Sequence, residues 1–571
     1  MATMENQTPS TLIAIDNSSL PDERRDIHTQ AIGMLVADLR FITLALVIAI
    51  GLTNLPYVYA YATTPDGMHF MGFVQNMPDS GEYLAWMRES MNSILISNTL
   101  TSESNPPLFF NLVFWILGRL AAHTIGDLVQ WLTFFRIVSG ILVIVTAYYF
   151  CSLFIADRLQ RRTAFCLIVF SSGLSVYIAI FNKVASPINF SAQFIAEGTT
   201  LYSMMSFPLL AYSAFLIMLI LGWSFIAYQQ ASLRWACAAG IAALILGWSH
   251  GYDLLSIYGV LGAFTILVTI RNRVSWIWIK SVALIVGISC FPGIYFFVLT
   301  KTNAVWRDSL SQFANAGVFS PDPLQLVLLL GLPLIVTLAS YDGFIPLQKH
   351  SSQDLFLKTW FGVQFFLIYL PVEYQIHFIN GFQVPVALLA TNGLSRHLVP
   401  RIAQWRLVKP WNTSGKLFPV LAAFLILATV PSSIYFVGWR LNDMSRHPSP
   451  YFLQADQVRA LHWLNEHSSP DHIVLSSNDI GSFIPGLTGN RPFLSHWAMT
   501  LNFYSKREIV NRFFDSAATD AERIRIIQEY NISHVFWSDA ERTLGAWNPD
   551  TATFLERDWS GATAVVYRIK R

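Results

Sequence analysis

The feature that most constrains this chain is a succession of long, almost uninterrupted apolar runs, each near or above the length needed to cross a bilayer. They fall at roughly 41–61, 130–152, 163–181, 207–228, 234–250, 253–270, 277–299, 323–341, 355–371, 380–395 and 417–438, about eleven in all. Hydrophobic residues make up 53% of the chain and charged ones only 13%, a balance that soluble multidomain proteins do not show. The expected fold class is therefore an α-helical polytopic membrane protein. Net charge is +2 and no basic run is long enough to follow a phosphate backbone, so nucleic acid is excluded as a partner. Cys151, Cys166, Cys237 and Cys290 all lie inside apolar runs and read as small buried hydrophobes, not as disulfides or metal ligands.

Charge then fixes the expected topology. Residues 1–40 form a polar cytoplasmic tail, with residues 1–30 expected to be disordered, and the tail is too long and polar for a cleaved signal peptide. The apolar stretch NPPLFFNLVFWILGRL from Asn105 decides the side of everything that follows. If it lies along the surface as a helix, Arg158, Arg161 and Arg162 fall in the cytoplasm, as the positive-inside rule prefers. Arg234, Arg271, Arg273, Lys280, Lys349, Arg396, Arg401, Arg406, Lys409 and Lys416 then share that side. An odd number of spans puts the C-terminus outside. The domains expected are the tail, a transmembrane domain over 41–439 with an external loop 62–129, and an external soluble α/β domain over 440–571. In the last, 456–468 and 521–531 have helical spacing, while 472–477, SHVFWSD and TAVVYRIK read as strands.

Ionisable residues collect at the external ends of the spans. NMPDSGEYLAWMRE (76–89) places Asp79, Glu82, Arg88 and Glu89 just after the first span, where carboxylates can take a proton from an acceptor hydroxyl or hold a cation. The plain alternative is an amphipathic helix lying on the bilayer with its charges in solvent. Glu197 is a lone acid in an apolar loop, a costly position for a charge without a partner. His250 and Asp253 (WSHGYDLL) lie where two spans meet. Glu373 and His377 sit at another external span end, and Lys301 and Arg307 in a further external loop could neutralise a phosphate leaving group. In the soluble domain Arg491, His496 and Lys506 occupy a segment that either contacts substrate or docks the domain.

Taken in order, these parts resemble the GT-C superfamily of multispanning glycosyltransferases, which includes protein O-mannosyltransferases and aminoarabinose transferases. The matching residues are Asp79 in the first external loop, the Asn105-Pro106-Pro107 segment, Arg136 in FRIVSG, Glu197, the His-Gly-Tyr-Asp turn at 250–253, and TGNRPFLSHW in the terminal domain. The spacing of Asp79 and Glu82, three apart, departs from the adjacent or nearly adjacent acids of many members. Gln375 and His377 stand where related sequences often carry an arginine. The resemblance implies a sugar donor on a polyprenyl phosphate, a lipid, glycan or protein acceptor, and Asp79 as the general base, with Glu82 and Glu197 positioning substrate or a divalent cation such as Mg or Mn. His250, Asp253, Lys301, Arg307, Glu373, His377, Arg491, His496 and Lys506 are the candidate substrate-binding residues. A transporter or flippase, or an inactive membrane scaffold, is the rival reading. The absence of a visible internal repeat and the external position of most ionisable groups weigh against a transporter.

Overall fold

In the structure, a computed structural model, residues 26–181, 195–272, 274–316, 319–339, 346–405 and 415–570 are described. Of the tail expected over 1–40, residues 1–25 lie outside them, as do Arg273, Arg406 and Lys409; residues 27–30, expected to be disordered, are instead helical in Ile27–Ala37, which the Asp26 side chain caps.

Six helices are long and apolar enough to cross a membrane: Leu39–Thr63, Leu128–Phe154, Pro208–Gln230, Asp253–Asn272, Trp276–Thr302 and Leu417–Met444. Each coincides with an expected span. The other five expected spans are short or broken. Leu233–Ser249 has 17 residues and Ser352–Leu367 has 16. Gln383–Gly393 passes into a π-helical turn at Leu394–Leu398. The run 163–181 divides into Arg158–Phe170 and Ser175–Phe181, and 323–341 into Pro323–Leu330 and Leu332–Ala339. These two breaks face each other. Gly331 and Gly173 both have positive φ, and a Cβ on Gly331 would stand 2.7 Å from the Gly173 Cα, so only glycine admits the contact. The backbone groups freed by the breaks are satisfied locally: Leu174 N–H donates to Leu328 O at 2.8 Å and Ser432 Oγ to Gly173 O at 3.0 Å.

The chain begins with α1 (Ile27–Ala37), runs through α2 (Leu39–Thr63), and enters the loop that carries α3 (Met77–Ser90) and α4 (Leu112–His123) before α5 (Leu128–Phe154). At the α1 end of the bundle, Arg158, Arg161 and Arg162 gather on the buried carboxylate of Asp38, so the three arginines of DRLQRR do share one site at one end. The opposite end carries α3 and the C-terminal domain.

The α4 helix corrects the sequence reading. It starts at Leu112, not at Asn105, because the Asn111 side chain caps it by accepting from Val113 N and Phe114 N. Pro106 and Pro107 stay outside the helix, just ahead of the Ile96–Phe109 bridge, since a residue preceding proline avoids the helical region. With 12 residues α4 is about 18 Å long, too short to cross a bilayer, and it packs on α3 and α5.

The C-terminal domain is a five-stranded mixed sheet of order β4-β3-β5-β7-β6, flanked by helices such as Ala455–His467 and Asp520–Glu529. Its strands are β3 (Ile473–Leu475), β4 (Arg491–Pro492), β5 (Ile532–Ser538), β6 (Leu555–Ser560) and β7 (Ala564–Ile569). β3 runs parallel to β4 and β5, and β7 antiparallel to β5 and β6. A separate pair, β1 (Met68–Phe70) and β2 (Phe452–Gln454), ties the first loop to the entry of this domain. Helix Ile484–Thr488 then lies directly on α3. A Cβ on Gly81 would stand 2.2 Å from Ser482 O, and one on Gly486 2.6 Å from the Leu84 Cβ, so two glycines set the approach. Arg88 donates to the carbonyls of Leu487 and Thr488 at 3.1 and 3.3 Å. The first loop and the C-terminal domain share one apolar core, which includes Leu84, Met87, Leu117, Ile480 and Phe483.

Candidate active site

Asn76 opens α3 in a left-handed conformation (φ 55°), Pro78 follows in the first turn, and Asp79 completes that turn, where the helix dipole favours a negative charge. Three residues on, Glu82 lies on the same side of the helix. The helix is not an amphipathic surface element: Gly81, Glu82, Leu84, Ala85, Trp86 and Met87 are all buried, between the C-terminal domain on one side and α4 with Phe109 on the other. Glu89 accepts from Ser97 N and Oγ, and Arg88 serves the docking just described.

His496 comes from the C-terminal domain and closes over both acids. Its Nε2 is 3.2 Å from Asp79 Oδ1 and 3.7 Å from Glu82 Oε2. Its Nδ1 accepts from the backbone N–H groups of Ala498 and Met499 at 3.0 and 3.2 Å. That arrangement places the ring proton on Nε2, aimed at the carboxylates. Asp79 also accepts from Asn76 Nδ2 at 2.7 Å. Burial pushes the Asp79 carboxyl up, but the hydrogen bonds and charge of His496 and the Asn76 bond outweigh it, and the group is held below its ordinary value. Glu82 is pushed up to about 7, by burial first and then by the charge of Asp79, which together exceed the attraction of His496. Its Oε1 is buried without a hydrogen-bond partner among the described residues.

Donor atoms of Asp79, Glu82 and His496 lie within 4.8 Å of one another, close enough for a metal ion. The two carboxylates and the orphaned Glu82 oxygen suit a hard divalent cation. His496 does not fit as a third ligand in this orientation, because an Nε2 that carries the proton donates instead of coordinating.

A second polar group adjoins the first. His377 Nδ1 is 3.0 Å from Glu197 Oε1, and His250 Nδ1 is 2.8 Å from Asp253 Oδ2. The two imidazoles are 5.5 Å apart, and Tyr252 stacks on His377 at 5.2 Å. Burial pulls His377 down, but the bond and charge of Glu197, with smaller contributions from Asp253 and Asp79, raise it overall. Asp253 also accepts from Ser213 and from Asn380 at 3.3 Å, so it holds three segments together.

Of the expected site residues, Asp79, Glu82, Glu197, His250, Asp253, His377 and His496 are thus brought into two adjoining groups. The rest are not. Lys301 is exposed beside Phe297, Arg307 is exposed and pairs with Asp308, and Glu373 is exposed. Exposed charges of this kind are solvated and need no partner. Lys506 is buried in an ion pair with Glu103 at 2.7 Å, and Arg491 donates to Glu103 O at 2.9 Å, so both dock the domain on the first loop. Sequence reasoning missed Glu103, Asn76, Tyr252 and Asn380 as partners. Only the asparagine before proline in Asn76-Met77-Pro78 carried a local hint, as a helix-start signal.

A mixed α/β domain thus roofs the acidic first loop at one end of the helical bundle, and the fold is shared with solved structures of an archaeal oligosaccharyltransferase. No family model matches the sequence, and no curated protein matches it. Among solved structures it is similar to the oligosaccharyltransferase of Archaeoglobus fulgidus tethered to an acceptor peptide containing the NVT sequon. The TM-score is 0.53 at 13% identity, over 93% of this chain and 74% of that one. The same archaeal enzyme, AglB, in complex with an inhibitory peptide and a dolichol-phosphate gives 0.54 at 13%, over 93% and 74%. ArnT from Cupriavidus metallidurans bound to undecaprenyl phosphate gives 0.47 at 12%, over 94% and 98%.

Proposed function

We propose that this chain is a membrane glycosyltransferase that moves a sugar from a polyprenyl-phosphate donor to a hydroxyl of a lipid, glycan or protein acceptor at the external face. The observation that carries the reading is the convergence of Asp79 and Glu82 beneath His496, where the membrane bundle meets the C-terminal domain. The fold shared with AglB, whose complex holds a dolichol-phosphate, supports the lipid-linked donor.

Asp79 is the group assigned to the acceptor, because 24% of its side chain is exposed against 8% for Glu82. Its carboxylate takes the proton of the acceptor hydroxyl as that oxygen bonds to the anomeric carbon. The bond from that carbon to the phosphate oxygen breaks on the opposite face, its electron pair leaves with the phosphate, and configuration inverts. His496 fixes Asp79 by donating from Nε2. Glu82, poised near neutrality, sets the charge behind it. His377, held by Glu197, and His250 add two imidazoles beside the acids. A divalent cation, Mg or Mn, would be held by Asp79 and Glu82 and would supply charge neutralisation for the departing phosphate.

The test incubates purified protein with radiolabelled polyprenyl-phosphate sugars, with and without Mg or Mn, and follows donor consumption. Turnover that disappears in Asp79→Asn supports the assignment. Turnover unchanged when both Asp79→Asn and Glu82→Gln are present removes it, and the scaffold reading takes its place.

A further inference from the structure

Aromatic side chains from four separate segments, Trp497, Phe313, Tyr252 and Tyr374, form a wall that leads from the acidic site to the second polar group. Trp497 follows His496 directly, and their rings lie 4.7 Å apart. Trp497 meets Phe313 edge-on at 5.7 Å, and Phe313 meets Tyr252 at 6.3 Å. Tyr252 in turn lies 4.7 Å from Tyr374, stacks on His377, and stands within reach of the Glu82 charge. All of these rings are half-buried, so part of their apolar surface stays open beside groups that can hydrogen-bond.

The wall is firmly mounted. Phe313 sits on the short turn Gln312–Ala316, and the polar side chains of that turn hold the Trp497 segment. Gln312 Nε2 donates to the carbonyls of Ala498 and Thr500 at 2.9 and 3.0 Å, and Asn315 Nδ2 donates to that of Trp497 at 3.1 Å. Trp497 and Phe313 are thus fixed relative to each other before any ligand arrives, and little side-chain freedom is left to lose on binding. The reaction at Asp79 makes no demand on either ring, yet open aromatic surface beside a polar site is apolar area that a ligand gains by covering.

The make-up of the wall discriminates among the three acceptor classes. A peptide is recognised largely through its main chain, but the carbonyls of Trp497, Tyr252 and Tyr374 are already engaged by Asn315 Nδ2, Leu255 N and His377 N. A lipid alcohol would cover the rings and leave the adjoining imidazoles and acids stripped of water without partners, which is costly. A pyranose suits both parts. Its C–H face carries partial positive charge and rests on the electron-rich face of an aromatic ring, while its hydroxyls project around the rim toward polar groups.

Building on the transferase reading, we propose that the wall from Trp497 to Tyr374 seats a sugar ring of the acceptor, which makes the acceptor a glycan and not a peptide or a lipid. The C–H face of the ring lies on Trp497 and Phe313, and its reacting hydroxyl reaches Asp79 beside His496.

The experiment uses the full chain in phosphatidylcholine nanodiscs, because sugar-headed detergents would compete. Methyl pyranosides of glucose, galactose, mannose and N-acetylglucosamine are titrated without donor, and saturation-transfer difference NMR reads which ring protons touch the protein. At least one pyranoside is expected to give a saturable signal at its C–H protons. Phe313→Leu and Trp497→Ala should weaken its binding by about tenfold, as the loss of one aromatic contact predicts, and Trp497→Phe should restore it. With donor present, the same variants should raise KM for the pyranoside more than they lower kcat. Trp497→Ala removes a ring that touches His496, so Phe313→Leu, which keeps an apolar side chain and leaves His496 alone, decides should the first variant misfold. No saturable signal from any pyranoside, or equal signal in wild type and the folded variants, overturns the proposal. Transfer to a serine peptide or a lipid alcohol with none to the pyranosides also overturns it, and leaves the transferase reading standing. Pyranoside binding that depends on the wall, with no donor consumed, counts against the transferase reading and upholds the sugar site.

Discussion

His496 Nε2 lies 3.2 Å from Asp79 Oδ1, although 417 residues separate them in the chain. The contact joins the first external loop to the C-terminal domain at the point where the acids converge. Because the imidazole Nδ1 is held by two backbone N–H groups, the ring cannot turn to offer a different nitrogen without losing both bonds. His496→Ala should therefore release the Asp79 carboxylate while leaving the fold in place, lowering transfer by roughly 10-fold to 10²-fold, a smaller loss than removal of the base. A loss in His496→Ala as large as that in Asp79→Asn would assign the histidine a direct chemical step.

Asp79→Asn preserves size and removes the proton acceptor, so transfer should fall about 10²–10⁴-fold with donor binding retained. Glu82→Gln and Glu197→Gln should be milder, since both act behind or beside the base. Rates, donor binding and melting temperature measured on all three variants give the ranking. A reversed order, with Glu82→Gln the most damaging, would make Glu82 the base.

Glu82 also leaves a signature in stability. Its folded value of about 7 lies above the ordinary 4.5 of a free glutamate, so the protonated form is favoured in the folded protein. The contribution is fully present below pH 4.5 and is lost as pH rises through 7. Glu82→Gln, which cannot ionise, should gain stability over wild type on the alkaline side, by up to roughly 3 kcal/mol at 1.36 kcal/mol per unit. Melting curves at pH 5 and pH 9 read the difference, and an equal offset at both pH values would mean that the shift is not carried by Glu82.

The Lys506–Glu103 pair should govern docking. Burial alone would raise Glu103 and lower Lys506. For Glu103 the charge and hydrogen bond of Lys506 prevail and hold it below its ordinary value, while for Lys506 burial prevails. Glu103 therefore contributes stability above pH 4.5 that is lost as pH falls through its lower folded value. Glu103→Gln strands a buried cation and should loosen the contact, by ~1 kcal/mol after allowance for the exposure of Glu103. Limited proteolysis between the last spanning helix and β2 measures it, and cleavage no faster than in wild type would discount the pair.

Topology is open to direct measurement. In a background without the four native cysteines, Asp157→Cys at the Asp38 end and Thr543→Cys in the C-terminal domain should react with an impermeant reagent from opposite sides of the membrane. Labelling of both from one side would refute the arrangement.

The sequence alone determined the membrane class, the order of the parts and the first-loop acids. Apolar run length and charge sign are local properties of contiguous residues, and they read through to the six long helices, to the arginines gathered on Asp38 and to the strands at 472–477, 533–539 and 563–570. Helix ends were less legible. The start of α4 depended on which asparagine could reach two free N–H groups, and the breaks at Gly173 and Gly331 depended on each other. Only the tertiary structure decided which ionisable residues meet. Lys301, Arg307 and Glu373 had the same local character as His377 and Glu197, yet the bundle turned the first three outward and the last two toward Asp79. Likewise His496 and Lys506 lie ten residues apart on one domain, yet the docked domain brings the first to the acids and the second to Glu103. A hydrogen-bond partner brought in from the far end of the chain leaves no periodic trace in the sequence around either residue, because its position is fixed by how the domains pack.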